Sequence, residues 1–237
     1  MLEWTERTEM LLGKDGLKRL AEARVTVIGV GGVGAVASEM LARAGIGHMD
    51  LVDCDTVSVS NLNRQVIALH STVGLSKCEV LKNRLLDINP DIEVGIYARF
   101  LSESNVPELV GRPDYVVDAI DTLSPKVALA QYCLSHSIPL VSSMGSGGKY
   151  DATQVRIADI GKTFECPLAR MMRKRLHKLG IEKGYLAVFS PEKADKQGMV
   201  LEESRNKKSQ VGTLSYMPAV FGCVCAQAVI AGITGRG

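Results

Sequence analysis

Gly29, Gly31 and Gly34 stand in the spacing G-x-G-x-x-G directly after the apolar run VTVI. Glycines so placed let the backbone turn tightly and bring N–H groups up to phosphate oxygens at the positive end of the helix that follows. Asp53 lies about twenty residues on, at the end of a second apolar run, where a carboxylate accepts hydrogen bonds from a ribose. Taken alone, this set does not separate NAD, FAD and ATP. The next stretch, D-C-D-T-V-S-V-S-N-L-N-R-Q, supplies Asn61, Arg64 and Gln65, and Lys77 follows on the next helix. Two cations beside a phosphate loop neutralise β- and γ-phosphates and steady a departing pyrophosphate, while amides fix oxygen positions. An ATP-consuming enzyme needs these groups and a dehydrogenase does not. Asp121, in D-A-I-D-T after a fourth apolar run, falls at the crevice where doubly wound sheets hold ligands, and its carboxylate suits Mg²⁺. The competing reading is a solvated helix face for Arg64 and Lys77 and a helix N-cap for Asp121.

Such residues meet only if the chain alternates strands and helices. The β-branched run 25–28 predicts a buried strand turning into a helix that runs to about residue 44. The same rhythm predicts strands at 49–53, 93–98, 115–121 and 138–143, with helices near 16–23, 74–88 and 124–136. This alternation specifies an α/β fold, a doubly wound, mainly parallel Rossmann-like sheet with added C-terminal strands and helices. Beyond Ser143 the glycine-rich MGSGGKYD leads to TQVRIADI, whose alternation suggests an added antiparallel strand. A basic helix near 165–180, a strand at 185–190, a polar stretch over 191–210 expected to be mobile, and an apolar C-terminal helix complete the chain. Residues 1–237 read as one domain.

The 237 residues are 46% apolar and 23% charged, which excludes wholesale disorder. A net charge of +2 excludes a global polyanion-binding field, and 5% aromatic content argues against base stacking, so any nucleic-acid contact must rest on local charge and shape. Six scattered cysteines contain no Cys-x-x-Cys pair, which fits a reducing, cytoplasmic compartment and gives no zinc site. The N-terminus shows no signal peptide. Residues 209–235 carry no charge, but Pro218, Gln227 and several glycines interrupt them, so a buried helix is expected rather than a membrane span.

The stretch VIGVGGVGAVASEMLARAGIGHMDLVDCDTVSVSNLNRQ resembles the adenylation domain of the ubiquitin-activating-type (E1-like, ThiF-type) superfamily. RTEMLLGKDGLKRL, NLNRQVIALHSTVGLSKCEVLKNRLLDINP, VVDAIDT and CPLARMMRKRL resemble most closely its tRNA threonylcarbamoyladenosine dehydratases. The resemblance implies a homodimer that binds ATP and Mg²⁺ and activates a carboxylate as an acyl-adenylate. It implies that Gly29, Gly31, Gly32 and Gly34 cradle phosphate, that Asp53, Asp55, Asn61, Arg64, Gln65 and Lys77 surround the nucleotide, and that Asp121 binds magnesium. It further implies an N-terminal arginine entering the neighbouring subunit's site. Arg7 holds that position, without the aromatic-flanked arginine pair common elsewhere. The resemblance leaves a monovalent cation and a sulfur-relay partner open.

Relatives that activate the C-terminus of a ubiquitin-like sulfur-carrier protein generally bear zinc-binding Cys-x-x-Cys pairs, and this chain has only Cys223-Val-Cys225. That activity is the alternative. Cys166 falls where ubiquitin-type enzymes place a nucleophile, and its competing reading is a packing residue at a helix start. Arg170, Arg173, Lys174, His177 and Lys178 form one stripe of the basic helix, opposite Leu168, Met172, Leu176 and Leu179. Such a stripe is what tRNA phosphates would require, as the resemblance implies, and its competing reading is an ordinary solvated face. Lys149, Arg205, Lys207 and Lys208 are expected to extend it.

Overall fold

The computed structural model describes residues 3–194, 199–200 and 210–236. Seven strands form one sheet in the order β3-β2-β1-β4-β5-β7-β6. They are β1 (Arg24–Ile28), β2 (His48–Val52), β3 (Glu93–Tyr97), β4 (Tyr115–Asp118), β5 (Leu140–Ser143), β6 (Arg156–Asp159) and β7 (Leu186–Phe189). All neighbours run parallel except β6, which pairs antiparallel with β7 through Arg156 opposite Phe189 and Asp159 opposite Leu186. The alternation in TQVRIADI therefore reads correctly as an added edge strand. Two further two-residue strands, β8 (Met199–Val200) and β9 (Gln210–Val211), pair antiparallel.

The helices are α1 (Glu6–Glu22), α2 (Gly34–Ala44), α3 (Lys77–Ile88), α4 (Val106–Val110), α5 (Leu123–Ser135), α6 (Pro167–His177) and α7 (Tyr216–Thr234). Period-two burial sends Val25, Val27, Val117 and Val141 to one face of the sheet and Ile28, Val116 and Leu140 to the other. The first face packs under Leu41, Leu81 and Phe221 of α2, α3 and α7. The second packs under Leu129, Met172 and Leu176 of α5 and α6. Burial on both faces explains why these strands are nearly continuous apolar runs.

The first helix begins ten residues earlier than the leucine spacing at 16–23 suggests, because a kink at Gly13 (φ +75°) joins the preceding residues Glu6 to Leu12 to the amphipathic segment. The short α4, with a proline in its first turn, is an element the periodicity did not reveal. Strand β4 ends at Asp118 rather than at residue 121, which frees 119–121 as a loop. Among the described residues α7 is the one helix long and apolar enough to cross a membrane, and half of its most apolar window is buried. It lies close against α2: a Cβ on Gly222 would sit 2.6 Å from the Val33 carbonyl oxygen.

Candidate active site

The strand order reverses direction between β1 and β4, and ligand crevices of doubly wound sheets open at the carboxyl ends of such a pair. There β1 ends at Ile28 and β4 at Asp118, so the glycine loop and the D-A-I-D-T segment emerge side by side. Gly29 has φ +86° and donates its N–H to the Val52 carbonyl (2.8 Å). A Cβ on Gly34 would lie 1.8 Å from the Gly29 carbonyl oxygen, and one on Gly29 would lie 2.9 Å from that of Ala119. Only hydrogen atoms fit at these two positions, so the turn closes tightly over residues 119–120 and α2 starts directly beneath it.

Asp53, at the end of β2, is half-buried and bridges two backbones: Oδ2 accepts from Val30 N–H (2.8 Å) and Oδ1 from Asp55 N–H (2.9 Å). The carboxylate expected on a ribose is thus fixed to the glycine loop itself. The 58–65 segment closes from the other side. Asn61 is 8% exposed and accepts from Ser58 N–H (3.1 Å), capping the short turn that carries Arg64 and Gln65. The Gln65 Nε2 lies 3.6 Å from where a Cβ on Gly31 would be, and the Arg64 carbonyl lies 3.1 Å from that position on Gly32. Gln65 is 8% exposed, and its Oε1 has no hydrogen-bond partner. A buried amide oxygen left without a donor costs about 1–3 kcal/mol, a penalty that a ligand donor removes.

Lys77 opens α3 at 5% exposure, its Nζ 2.7 Å from Asp55 Oδ2. That burial contradicts a solvated helix face for Lys77. Arg64 donates to the carbonyl of Ser60 (2.8 Å) and to Asn63 Oδ1 (2.9 Å), holding its guanidinium along the same turn. Asp121 is exposed directly after the Ala119–Ile120 stretch that meets Gly29, and the N-cap position of α5 belongs to Thr122 instead. The fold therefore gathers the glycine loop, Asp53, Asp55, Asn61, Arg64, Gln65 and Lys77 together, with the segment that leads to Asp121 packed against Gly29. Glycine cradle, paired cations and hard oxygen donors suit a nucleoside triphosphate with a divalent ion.

Sequence reasoning missed what lies beneath the 119–121 segment. Asp118 and Lys126 are both fully buried, with Lys126 Nζ 2.8 Å from Asp118 Oδ2. A lysine on a helix and a strand-end aspartate carry no signal of burial in the sequence alone.

A ThiF family model matches residues 5–237. The chain belongs to the ThiF family. It is 40% identical over 243 residues to a tRNA threonylcarbamoyladenosine dehydratase of Bacillus subtilis (strain 168), covering 97% of this chain and 94% of that protein. The structure of an Escherichia coli tRNA N6-threonylcarbamoyladenosine dehydratase in complex with ATP superposes with a TM-score of 0.89 at 37% identity, over 97% of this chain and 93% of that one. The molybdopterin-synthase adenylyltransferase of Escherichia coli (strain K12) is 38% identical over 128 residues, covering 54% of this chain and 51% of that protein.

In this ThiF-family chain α6 places Ala169, Met172 and Leu176 inward and leaves Arg170, Lys174, Arg175, His177 and Lys178 exposed. Leu179 departs from the expected anchored side at 46% exposure, because the helix ends at His177. Arg173 is half-buried and donates to Thr163 Oγ1. Lys149 does not extend the stripe: it is 3% exposed, donates to the carbonyls of Ser190 (3.2 Å) and Glu192, and burial lowers its pKa. Arg205, Lys207 and Lys208, and most of the 191–210 stretch expected to be mobile, lie outside the described residues. Cys166 is 2% exposed at the N-cap of α6, which suits a packing residue better than a nucleophile. Burial pushes the Cys78, Cys133 and Cys225 thiols up to about 12. Arg7 is exposed in the first turn of α1.

Proposed function

We propose that this chain is an ATP-dependent tRNA threonylcarbamoyladenosine dehydratase. The observation that carries the reading is the match to named dehydratases over nearly its whole length, one of them solved with ATP, on a crevice built for a triphosphate. The sulfur-carrier alternative draws on matches to between 54% and 65% of the chain. Residues 1–237 are taken as one adenylation domain, supported by the family match over 5–237.

In the proposed mechanism the N–H groups of the glycine loop and the Gln65 Nε2 hold the phosphates, and Asp53 faces the ribose. Arg64 and Lys77 meet the charge that develops on the β- and γ-phosphates as pyrophosphate leaves. A substrate carboxylate oxygen attacks the α-phosphorus, forming a mixed anhydride and releasing pyrophosphate. The carbamoyl group of the same side chain then attacks the activated carbonyl carbon, closes a ring and expels AMP, with net loss of one water. Both reacting groups belong to one molecule, so proximity supplies much of the second step. Asp121 would hold Mg²⁺, which would supply charge neutralisation at the phosphates.

The exposed cations of α6 would receive tRNA phosphates. Met10 and Leu11, 77% and 71% exposed on the helix that carries Arg7, support a homodimer in which Arg7 enters the partner's site. The test is incubation with ATP, Mg²⁺ and tRNA bearing threonylcarbamoyladenosine, followed by mass spectrometry of the nucleosides. ATP-dependent loss of one water is expected. An unchanged nucleoside mass, with pyrophosphate released only when a carrier protein is added, would move the assignment to the alternative.

A further inference from the structure

The buried pair beneath the crevice does more than fill space. Asp118 Oδ1 accepts from the N–H of Ile120 (3.1 Å), and Lys126 Nζ donates to the carbonyl of the same residue (3.0 Å). Asp118 Oδ2 takes both Lys126 Nζ (2.8 Å) and the Ser142 hydroxyl (2.6 Å), so a strand-end acid, a helix lysine and a neighbouring strand's serine form one network. Both polar groups of the Ile120 backbone are thus clamped from below, one residue before Asp121. The same stretch is the surface on which the glycine loop closes, since Ala119 N–H donates to the Ile28 carbonyl (2.8 Å) and the Ala119 carbonyl blocks any side chain at Gly29.

A buried ion pair is a poor source of stability, because desolvation offsets its attraction, and apolar residues of similar volume often serve as well. A chain that needed only packing here has no use for two charges at full burial. We infer that Asp118 and Lys126 are positioning residues for the adenylation step: their clamp on Ile120 sets the glycine loop and the Asp121 carboxylate in register with each other. The inference rests on the proposed role of Asp121 as the magnesium-binding carboxylate.

The test compares the unaltered protein with the Asp118→Asn/Lys126→Met double variant, which removes both charges and leaves neither buried alone. Amide hydrogen exchange is measured without nucleotide or metal, and the Mg²⁺ concentration for half-maximal ATP-dependent pyrophosphate release is measured alongside. In the unaltered protein the Ile120 amide should exchange as slowly as amides within β4. In the double variant exchange at 119–121 should rise at least about 10-fold while that in β3 stays unchanged, and half-saturation by Mg²⁺ should rise about 10- to 100-fold, the usual cost of losing an outer-shell partner. Unchanged exchange at 119–121 with Mg²⁺ half-saturation within about twofold would overturn the inference, as would fast exchange of Ile120 in the unaltered protein should the variant not fold. Asp121→Ala separates the two claims: its retained activity would remove the magnesium role of Asp121, while a clamp without effect on Mg²⁺ beside an inactive Asp121→Ala would remove only the positioning role.

Discussion

The crevice at the ends of β1 and β4 and the exposed face of α6 are both rich in charge, yet they are built differently. At the crevice Asp53 and Lys77 each have partners on a separate segment, and two glycines leave no room for a side chain. On α6 the cations Arg170, Lys174 and Lys178 stand in solvent on a helix anchored only by its other side. The first arrangement fixes atoms to within the tolerance of a chemical step, as preorganised charge stabilisation requires. The second offers a field that a flexible polyanion meets at many points, each worth little. Substitutions in the crevice should therefore act on the chemistry in large single steps, and those on α6 on affinity in small additive ones.

The largest effect is expected from Asp121→Ala, which should lower pyrophosphate release about 10²- to 10³-fold while the circular dichroism spectrum and Tm stay unchanged. Next is Lys77→Met, for which kcat/KM for ATP should fall about 10²-fold with little loss of stability, because the Asp55 carboxylate left behind is exposed. Arg7→Ala should be inactive alone, yet mixing it with Asp121→Ala should recover about a quarter of wild-type activity, since half of randomly mixed dimers carry one intact site. No recovery on mixing would place Arg7 outside the partner's site.

On the other region, Arg170→Glu and Lys174→Glu should each raise KM for tRNA a few-fold and lower the slope of log affinity against log salt by about one, leaving KM for ATP unchanged. A fall in kcat of about 10²-fold in either variant would erase the distinction between the two regions. The smallest effect belongs to an ion cluster outside both. Burial alone would raise the Glu39 pKa, but hydrogen bonds from Arg84 and Arg43 outweigh it and hold the carboxyl below its ordinary 4.5. A folded-state pKa below the unfolded value contributes stability above pH 4.5 that fades as pH falls through the lowered value. Glu39→Gln should thus be less stable by on the order of 1 kcal/mol at neutral pH, with the deficit closing toward pH 3, as chemical denaturation at several pH values will show.

The crevice was legible in the sequence because its demands fall on residue type. Only glycine turns at Gly29, strand runs such as VTVI are apolar on both faces, and Arg64, Gln65 and Lys77 follow at spacings that the strand and helix periods bring together. Burial of charge was not legible. Lys126 and Lys149 look like ordinary surface lysines, and only tertiary packing puts them at 0% and 3% exposure with carbonyl partners. The first two turns of α1 escaped detection because the run Glu6 to Leu12 lacks the apolar stripe that burial demands, and it exposes Met10 and Leu11 instead. On α6 the stripe was visible, but its membership was not: Arg173 turns toward Thr163, and Leu179 lies past the helix end.

The central claim is that a substrate carboxylate is activated by transfer to the α-phosphorus of ATP. It is tested most directly by supplying tRNA whose threonylcarbamoyladenosine carboxylate is labelled with oxygen-18 and locating the label in the products. Adenylation followed by ring closure places one labelled oxygen in AMP, with the other kept in the cyclised nucleoside. Label in pyrophosphate, in inorganic phosphate or in released water, with none in AMP, would contradict the account.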